Sequence, residues 1–435
     1  MKGNIISLIG AFLLIIFAWA LSSNRKVVNW RVIFWGLAMQ FGFALFVFVL
    51  PAGVKFFLYL NRIVVGILDS AGAGTRFVFG RLALPPGATG EAGEQSLGFI
   101  LAFQALPTVV FFASIMAGLY YLGLMTRLIR LFARAFTRLM RISGAESLCV
   151  SSNIFVGIES ALTIRPYLGA MTRSELCTVL TAGMATIASS VLALYVFILR
   201  GEFPTIAAHL VSASVLSAPA AVVMSKLIMP ETGEPVTLGR DVAPEYERES
   251  SLIEALIKGA NEGLKLVLGI AALLLAFLGL VALLDLVLVR AGSWVNGLTG
   301  LTLDWSLKGL LGYVFYPFTL VIGVPPSDAR EIARIIGERL VATEVKSYQD
   351  LAAAISSGTL HDPRSAFLAA YALCGFAHVA SLAIFVGGIA ALVPGRTADL
   401  SGVGLRALLA ATLACLMTAA VAGTFYWPGA LMLAR

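Results

Sequence analysis

Long apolar runs alternate with short polar breaks along nearly the whole chain. A helix needs about 20 apolar residues to cross a hydrocarbon core about 30 Å thick. Runs of that kind start near Asn4, Val32, Leu101, Glu175, Ile206, Leu252, Phe367 and Leu405, which predicts eight membrane spans. Three further apolar segments, 54–84, 138–169 and 305–340, are interrupted by Gly, Pro, Asn and charge. They read as re-entrant hairpins or interfacial helices, because irregular backbone survives at membrane depth only inside protein or around a cavity. Residues 231–251 form the one long polar linker, and 84–96 is an exposed Pro/Gly-rich stretch. The expected fold class is therefore an all-α polytopic membrane protein with eight transmembrane helices, re-entrant hairpins and interfacial helices.

Composition narrows the classes. Hydrophobic residues make up 59% of the 435 and charged residues only 13%, too few to solvate a soluble globule of this size. Disorder is excluded by the same figures. The net charge of +7 belongs to cytoplasmic loops by the positive-inside rule and does not imply nucleic acid. Arg25, Lys26 and Arg31 place the first loop inside, Arg165 and Arg173 a later turn, and Arg396 and Arg406 the last. Both termini are then expected outside. Arg127, Arg130, Arg134, Arg138 and Arg141 recur every three or four residues, one basic face of an interfacial anchoring helix. Arg62, Arg76 and Arg81 fit this topology only if their segment lies along the interface. Lys2 and Ala18-Trp19-Ala20 imitate a signal peptide. The run from Asn4 to Leu21 is nevertheless long enough to span, and a retained first helix is expected. Cys149, Cys177, Cys374 and Cys415 lie in apolar stretches without paired spacing, so no disulfide or metal site is read. His209, His361 and His378 are too scattered for a metal cluster, and no nucleophile–base pair suggests an enzyme.

An internal repeat is visible. Gly183-Met184-Ala185-Thr186-Ile187-Ala188-Ser189 returns as Gly375-Phe376-Ala377-His378-Val379-Ala380-Ser381, each copy inside an apolar span. Each follows a broken segment: Asn153 to Ser160 in the first half, and Gly323-Val324-Pro325-Pro326-Ser327-Asp328 in the second. Small residues also serve close helix packing. The pattern as a whole reads as inverted transporter repeats, in which hairpin tips and helix breaks meet near the midplane and bind cargo and ion. Glu159 is an acidic residue at that depth, where insertion costs about 2.5–3.5 kcal/mol and usually marks a pathway. Its rival role is a structural carboxylate at a half-helix N-terminus. Asp328 is expected to cap the helix starting at Ala329, Glu146 to cap the first hairpin, and Asp285 to make a packing or inter-subunit contact.

Ser143-Gly144-Ala145-Glu146-Ser147, Asn153-Ile154-Phe155-Val156-Gly157, Ala372-Leu373-Cys374-Gly375-Phe376-Ala377 and Leu405-Arg406-Ala407-Leu408 closely resemble the concentrative nucleoside transporter family. Asn24-Arg25-Lys26, Trp30-Arg31, Trp35-Gly36-Leu37, Phe111-Phe112 and Leu119-Tyr120-Tyr121-Leu122-Gly123 match in order as well. The resemblance implies cation-coupled import of nucleosides, a homotrimer, two re-entrant hairpins, and a transport domain moving elevator-like in a scaffold. It implies a bacterial inner membrane as the location, with the lipid bilayer and a nucleoside-like small molecule as partners, and neither nucleic acid nor cofactor. The organisation becomes 1–100 for the first helices and interfacial segment, 101–230 for the first repeat, and 231–251 for a cytoplasmic linker. A long scaffold helix over 252–304 and the second repeat over 305–435 complete it.

The same resemblance carries over a sodium site: the Asn153 side chain, the Val156 carbonyl, the Thr186 hydroxyl and the Ile187 carbonyl. Neutral oxygens suit a hard monovalent cation. The rival is proton coupling, with Glu159 titrating. The cargo positions depart from the family pattern. Ile158, Glu159 and Ser160 stand at the first hairpin tip, where the family Gln is lost and the tip is one residue short. Pro325 is expected where the family has a ribose-binding acid, and His378 replaces a ribose-binding Asn. Ser381 is retained, and Phe376 and Val191 match positions that pack on the base. The ion site is thus better kept than the sugar site. A modified nucleoside or another small polar metabolite as cargo, and a non-transporting membrane sensor, are the alternatives.

Overall fold

The structure is a computed structural model and describes residues 2–90, 93–244 and 249–428. Helices make up the described fold: α1 (Lys2–Ala20), α2 (Trp30–Phe48), α3 (Pro51–Phe79), α4 (Leu101–Gln104), α5 (Leu106–Tyr121) and α6 (Leu124–Met140). α7 (Gly144–Asn153) is followed by a 3₁₀ segment (Ile158–Ala170), α8 (Arg173–Ala185), α9 (Ser189–Leu199), α10 (Ile206–Ile228) and α11 (Leu252–Thr299). The last are α12 (Leu307–Val321), α13 (Pro326–Ala342), α14 (Glu344–Ser356), α15 (Pro363–Ala372), α16 (Val379–Leu392) and α17 (Thr397–Thr424).

Eight of the described helical stretches are long and apolar enough to cross a membrane, but they are not the eight expected. Residues 54–84, read as a broken segment, lie in one continuous helix, α3, extended by a 3₁₀ turn to Ala83. Pro51 sits in its first turn, where no N–H is needed, and its internal glycines are tolerated. The span expected from Phe367 is instead two short helices, α15 and α16, separated at Leu373–His378. Its partner in the first repeat, α8 and α9, is split in the same way at Thr186–Ala188.

α8, α10 and α15 are almost wholly buried, α9 and α17 are mostly buried, and together they form the centre of the molecule. They are rich in Ala, Gly, Ser and Thr, which let helix axes approach closely where lipid supplies no hydrophobic drive. α11 is the opposite: 48 residues long, it packs mainly on α5 and leaves most of its leucines exposed. α6 is amphipathic as expected, with Met125, Ile129, Ala133, Phe136 and Met140 buried and Arg127, Arg130, Arg134 and Arg138 exposed. Arg141 is not on that face; it sits past the end of α6 with φ at 54°, closing the helix in the left-handed region.

Candidate functional site

The first hairpin begins at Ser143, whose Oγ accepts from the Glu146 N–H and caps α7. α7 ends at Asn153, and the chain turns through 154–157 before returning in the 3₁₀ segment. The tip is stapled to the break between α8 and α9 by the Ser189 N–H donating to the Phe155 carbonyl, 3.1 Å. α8 stops because Thr186 is extended (φ −117°, ψ 165°), while its hydroxyl turns back to the Ala182 carbonyl at 2.8 Å. Asn153 is fully buried; its Oδ1 accepts from Ser160 Oγ at 3.0 Å and its Nδ2 donates to the Cys149 carbonyl at 3.1 Å. Thr186 and Ile187 are buried in the break, and Val156 lies at the tip facing a cavity.

The second hairpin is not where the sequence suggested. Gly323 to Asp328 is a turn into a helix: Pro325 is the N-cap of α13 and Pro326 its first residue. The hairpin proper is α13 and α14, and its tip is Thr343, with Glu344 starting the return arm. Thr343 holds φ 78° and ψ 159°, a region that costs a β-branched residue about 1–3 kcal/mol. The acid that the second tip brings to the cavity wall is Glu344, and Pro325 is not in that wall.

The two breaks are brought together. A Cβ on Gly375 would stand 2.8 Å from the Ala185 carbonyl oxygen, and one on Gly183 2.2 Å from the Phe385 ring, so both repeat glycines are required by close approach. Between the breaks, the hairpin tips, α5 and α11 lies a cavity of about 1080 Å³. Of the expected residues, Val156, Glu159, Val191, Phe376, His378 and Ser381 line it. Ser160 is buried behind it, bonded to Asn153 rather than open to cargo. The Ile158 side chain lies outside the described residues. Glu159 is exposed in the cavity.

A closed polar corner forms the wall at the second repeat. His378 is the N-cap of α16, its Nδ1 accepting from the Ser381 N–H at 3.1 Å. That bond leaves Nε2 as the nitrogen carrying the proton in the neutral ring. Nε2 lies 2.8 Å from Glu344 Oε2 and 2.7 Å from Ser381 Oγ. The Tyr195 hydroxyl donates to Glu344 Oε1 at 2.6 Å, and the Tyr195 ring stacks on Tyr348 with centroids 4.5 Å apart. Glu344 and Tyr195 were missed in the sequence. Glu344 falls just beyond 305–340, the segment read as broken, and Tyr195 looked like ordinary lining of an apolar span.

Glu146 and Asp328 do different work from that expected, while Asp285 makes a packing contact between helices. Glu146 is buried in an ion pair with Lys226 of α10 at 2.8 Å, and Lys226 also bonds Ser174 Oγ at 3.0 Å. Asp328 does not cap its own helix. Its carboxylate accepts from the His361 and Asp362 N–H groups and from Ser365 Oγ at 2.6 Å, capping α15 from across the fold. Asp285 Oδ1 accepts from the Leu307 N–H at 2.6 Å and so closes the start of α12.

Two broken helices crossing at their breaks, each met by a hairpin tip around a cavity, define the architecture of a membrane-embedded secondary transporter. Family models described as Na+ dependent nucleoside transporter N-terminus, nucleoside recognition, and Na+ dependent nucleoside transporter C-terminus match residues 9–82, 102–202 and 209–423. Solute carrier family 28 member 3 of Mus musculus is 37% identical over 97% of this chain, which spans 58% of that longer protein. An uncharacterized transporter of Haemophilus influenzae is 35% identical, covering 98% of both chains. The solved structure of CNTnw in an inward-facing substrate-bound state is 32% identical, covers 97% of this chain and 98% of that one, and superposes with a TM-score of 0.85. The chain belongs to the concentrative, Na+ dependent nucleoside transporter family. It is an integral multi-pass membrane protein of a transporter family, not an enzyme.

Proposed function

We propose that this protein imports nucleosides by cation symport, with sodium as the coupling ion. The observation that carries the reading is the staple between Ser189 and Phe155, which sets the first hairpin tip on the helix break beside the cavity. Asn153 Oδ1 and Thr186 Oγ are buried there, and with the Val156 and Ile187 carbonyls they form the proposed sodium ligands. The cargo faces Glu159, Val191, Phe376, His378, Ser381 and Glu344. The two hairpins, α8–α10 and α14–α17 make up the proposed transport domain. It moves elevator-like against a scaffold built on the α5–α11 contact, in a homotrimer in a bacterial inner membrane. One elementary charge brings about 2.3 kcal/mol per 100 mV, enough to concentrate a neutral solute tens-fold.

Purified protein in proteoliposomes tests the reading with labelled uridine, adenosine and guanosine, with and without an inward sodium gradient. Uptake is expected to rise with sodium and to be unaffected by a protonophore. Uptake indifferent to sodium but collapsed by the protonophore would replace sodium with the proton. No uptake of any nucleoside would leave the sensor reading in its place.

A further inference from the structure

α6 begins after only Leu122 and Gly123 have followed the end of α5, with Gly123 held at φ 71°. It therefore leaves a membrane span at the surface of the bilayer, and its 17 residues extend about 25 Å. Its buried face packs mainly on α7, the first arm of the first hairpin. The outward face is not simply basic. Leu124, Arg127, Leu131, Arg134 and Arg138 follow one another at steps of three and four, so apolar and basic side chains share it, with Arg130 alongside. All are exposed, Leu124 by 46% and Leu131 by 64%. The row is also underpaired. Asp241 reaches Arg134 and Arg138 only at 3.9 Å each, and among the described residues Arg127 and Arg130 make no ion pair. The Arg31 guanidinium adds a further positive charge, donating to the Leu139 and Arg138 carbonyls at 2.9 and 3.2 Å.

We infer that this face of α6 docks the headgroups of anionic phospholipids, phosphate oxygens meeting the guanidinium groups while Leu124 and Leu131 enter the acyl boundary. Arginine suits the role. Its planar fork matches phosphate, and its stem lies along apolar surface while the charged head stays among the headgroups. A zwitterionic lipid brings the same tails but cancels its phosphate charge with its own ammonium. A soluble anion would satisfy the arginines and leave both leucines in water. Because α6 lies against α7, a lipid held here also steadies the first hairpin. The inference stands on the membrane setting of the chain and not on its cargo.

The test titrates the purified full-length protein in detergent with phosphatidylglycerol, phosphatidylcholine or glycerol 3-phosphate. Bound lipid is read by native mass spectrometry, and stability by the thermal midpoint. Phosphatidylglycerol is expected to bind at least about ten-fold more tightly than phosphatidylcholine and to raise the midpoint, and glycerol 3-phosphate to do neither. The preference should weaken between about 0.1 M and about 1 M salt, as the screening length falls from about 10 Å to about 3 Å. Arg127→Gln combined with Arg130→Gln removes the two unpaired guanidinium groups and should reduce the preference about five-fold per arginine. Arg127→Lys combined with Arg130→Lys keeps the charge and should keep most of it. Equal binding of the two lipids by the wild type, or a wild-type preference in the glutamine variant, overturns the inference. Glycerol 3-phosphate matching the midpoint shift of phosphatidylglycerol also overturns it, because the face would then be a small-anion site.

Discussion

At the residue scale the proposed ion ligands make the sharpest demand. Thr186 offers a hydroxyl whose proton is already committed to the Ala182 carbonyl, so its lone pairs are left to face a cation. Thr186→Ala removes that oxygen and should raise the half-saturating sodium concentration about ten-fold, about 1.4 kcal/mol, whereas Thr186→Ser should stay near wild type. Equal sodium dependence in all three, read from uptake against sodium, would remove Thr186 from the site. Asn153→Ala and Glu159→Gln are each expected to abolish uptake while assembly, read by size-exclusion elution, is unchanged; normal uptake by either would mean the site is misplaced. Thr343 makes a different argument. Glycine relieves its positive φ, so Thr343→Gly should raise the thermal midpoint while loosening Glu344 and raising KM. A lowered midpoint with unchanged KM would show that the Thr343 side chain holds the tip by packing.

At the element scale the first hairpin hangs from α10 by a buried ion pair. Glu146 and Lys226 are almost wholly enclosed, so removing the Lys226 charge leaves Glu146 buried without its counter-ion, whereas Lys226 without Glu146 would keep Glu231 at 3.4 Å. Lys226→Met should cost about 3–5 kcal/mol, and the double variant Glu146→Gln with Lys226→Met much less. Thermal midpoints of the three proteins in detergent decide this, and a double variant as unstable as Lys226→Met would refute the pairing. This hairpin was legible in the sequence because its tip carries Asn153 and Gly157 between apolar arms. The second was not, and the reason is physical. Gly323, Pro325 and Pro326 look like a break but pre-set the start of α13. The true tip uses no Gly or Pro, only a strained threonine held by its surroundings. Local propensity reports the first kind of turn and is silent on the second. The G-x-A-x-x-A-S repeat, by contrast, announced both helix breaks, because close approach of the breaks requires the glycine itself.

At the scale of the whole molecule the conspicuous element is α11. At about 1.5 Å per residue its 48 residues extend about 70 Å, more than twice a hydrocarbon core. It packs on α5 through Gly259 and Gly263, where a Cβ would stand 2.7 Å from the Ala113 carbonyl and 2.8 Å from Val110 Cα. That contact uses Gly259 and Gly263 inside the protomer, while Ala272, Ala276 and Gly279 further along stay exposed. Outward with them stand large side chains, Leu264, Leu268, Leu275, Leu286 and Val287 among them. Lipid alone satisfies such a face, so exposure by itself demands no partner. The proposed elevator does, because a moving domain needs a frame that stays fixed in the bilayer, and one helix pair anchors poorly against that load. The proposed trimer, closed around α11, would supply the frame. Native mass spectrometry from lipid nanodiscs should therefore return three protomers. Leu275→Glu, a charge on the outward face clear of the cavity-lining charges, should release monomers. If the wild type flies as a monomer and still imports nucleosides, the frame lies within one chain, and the α5–α11 contact must bear it alone.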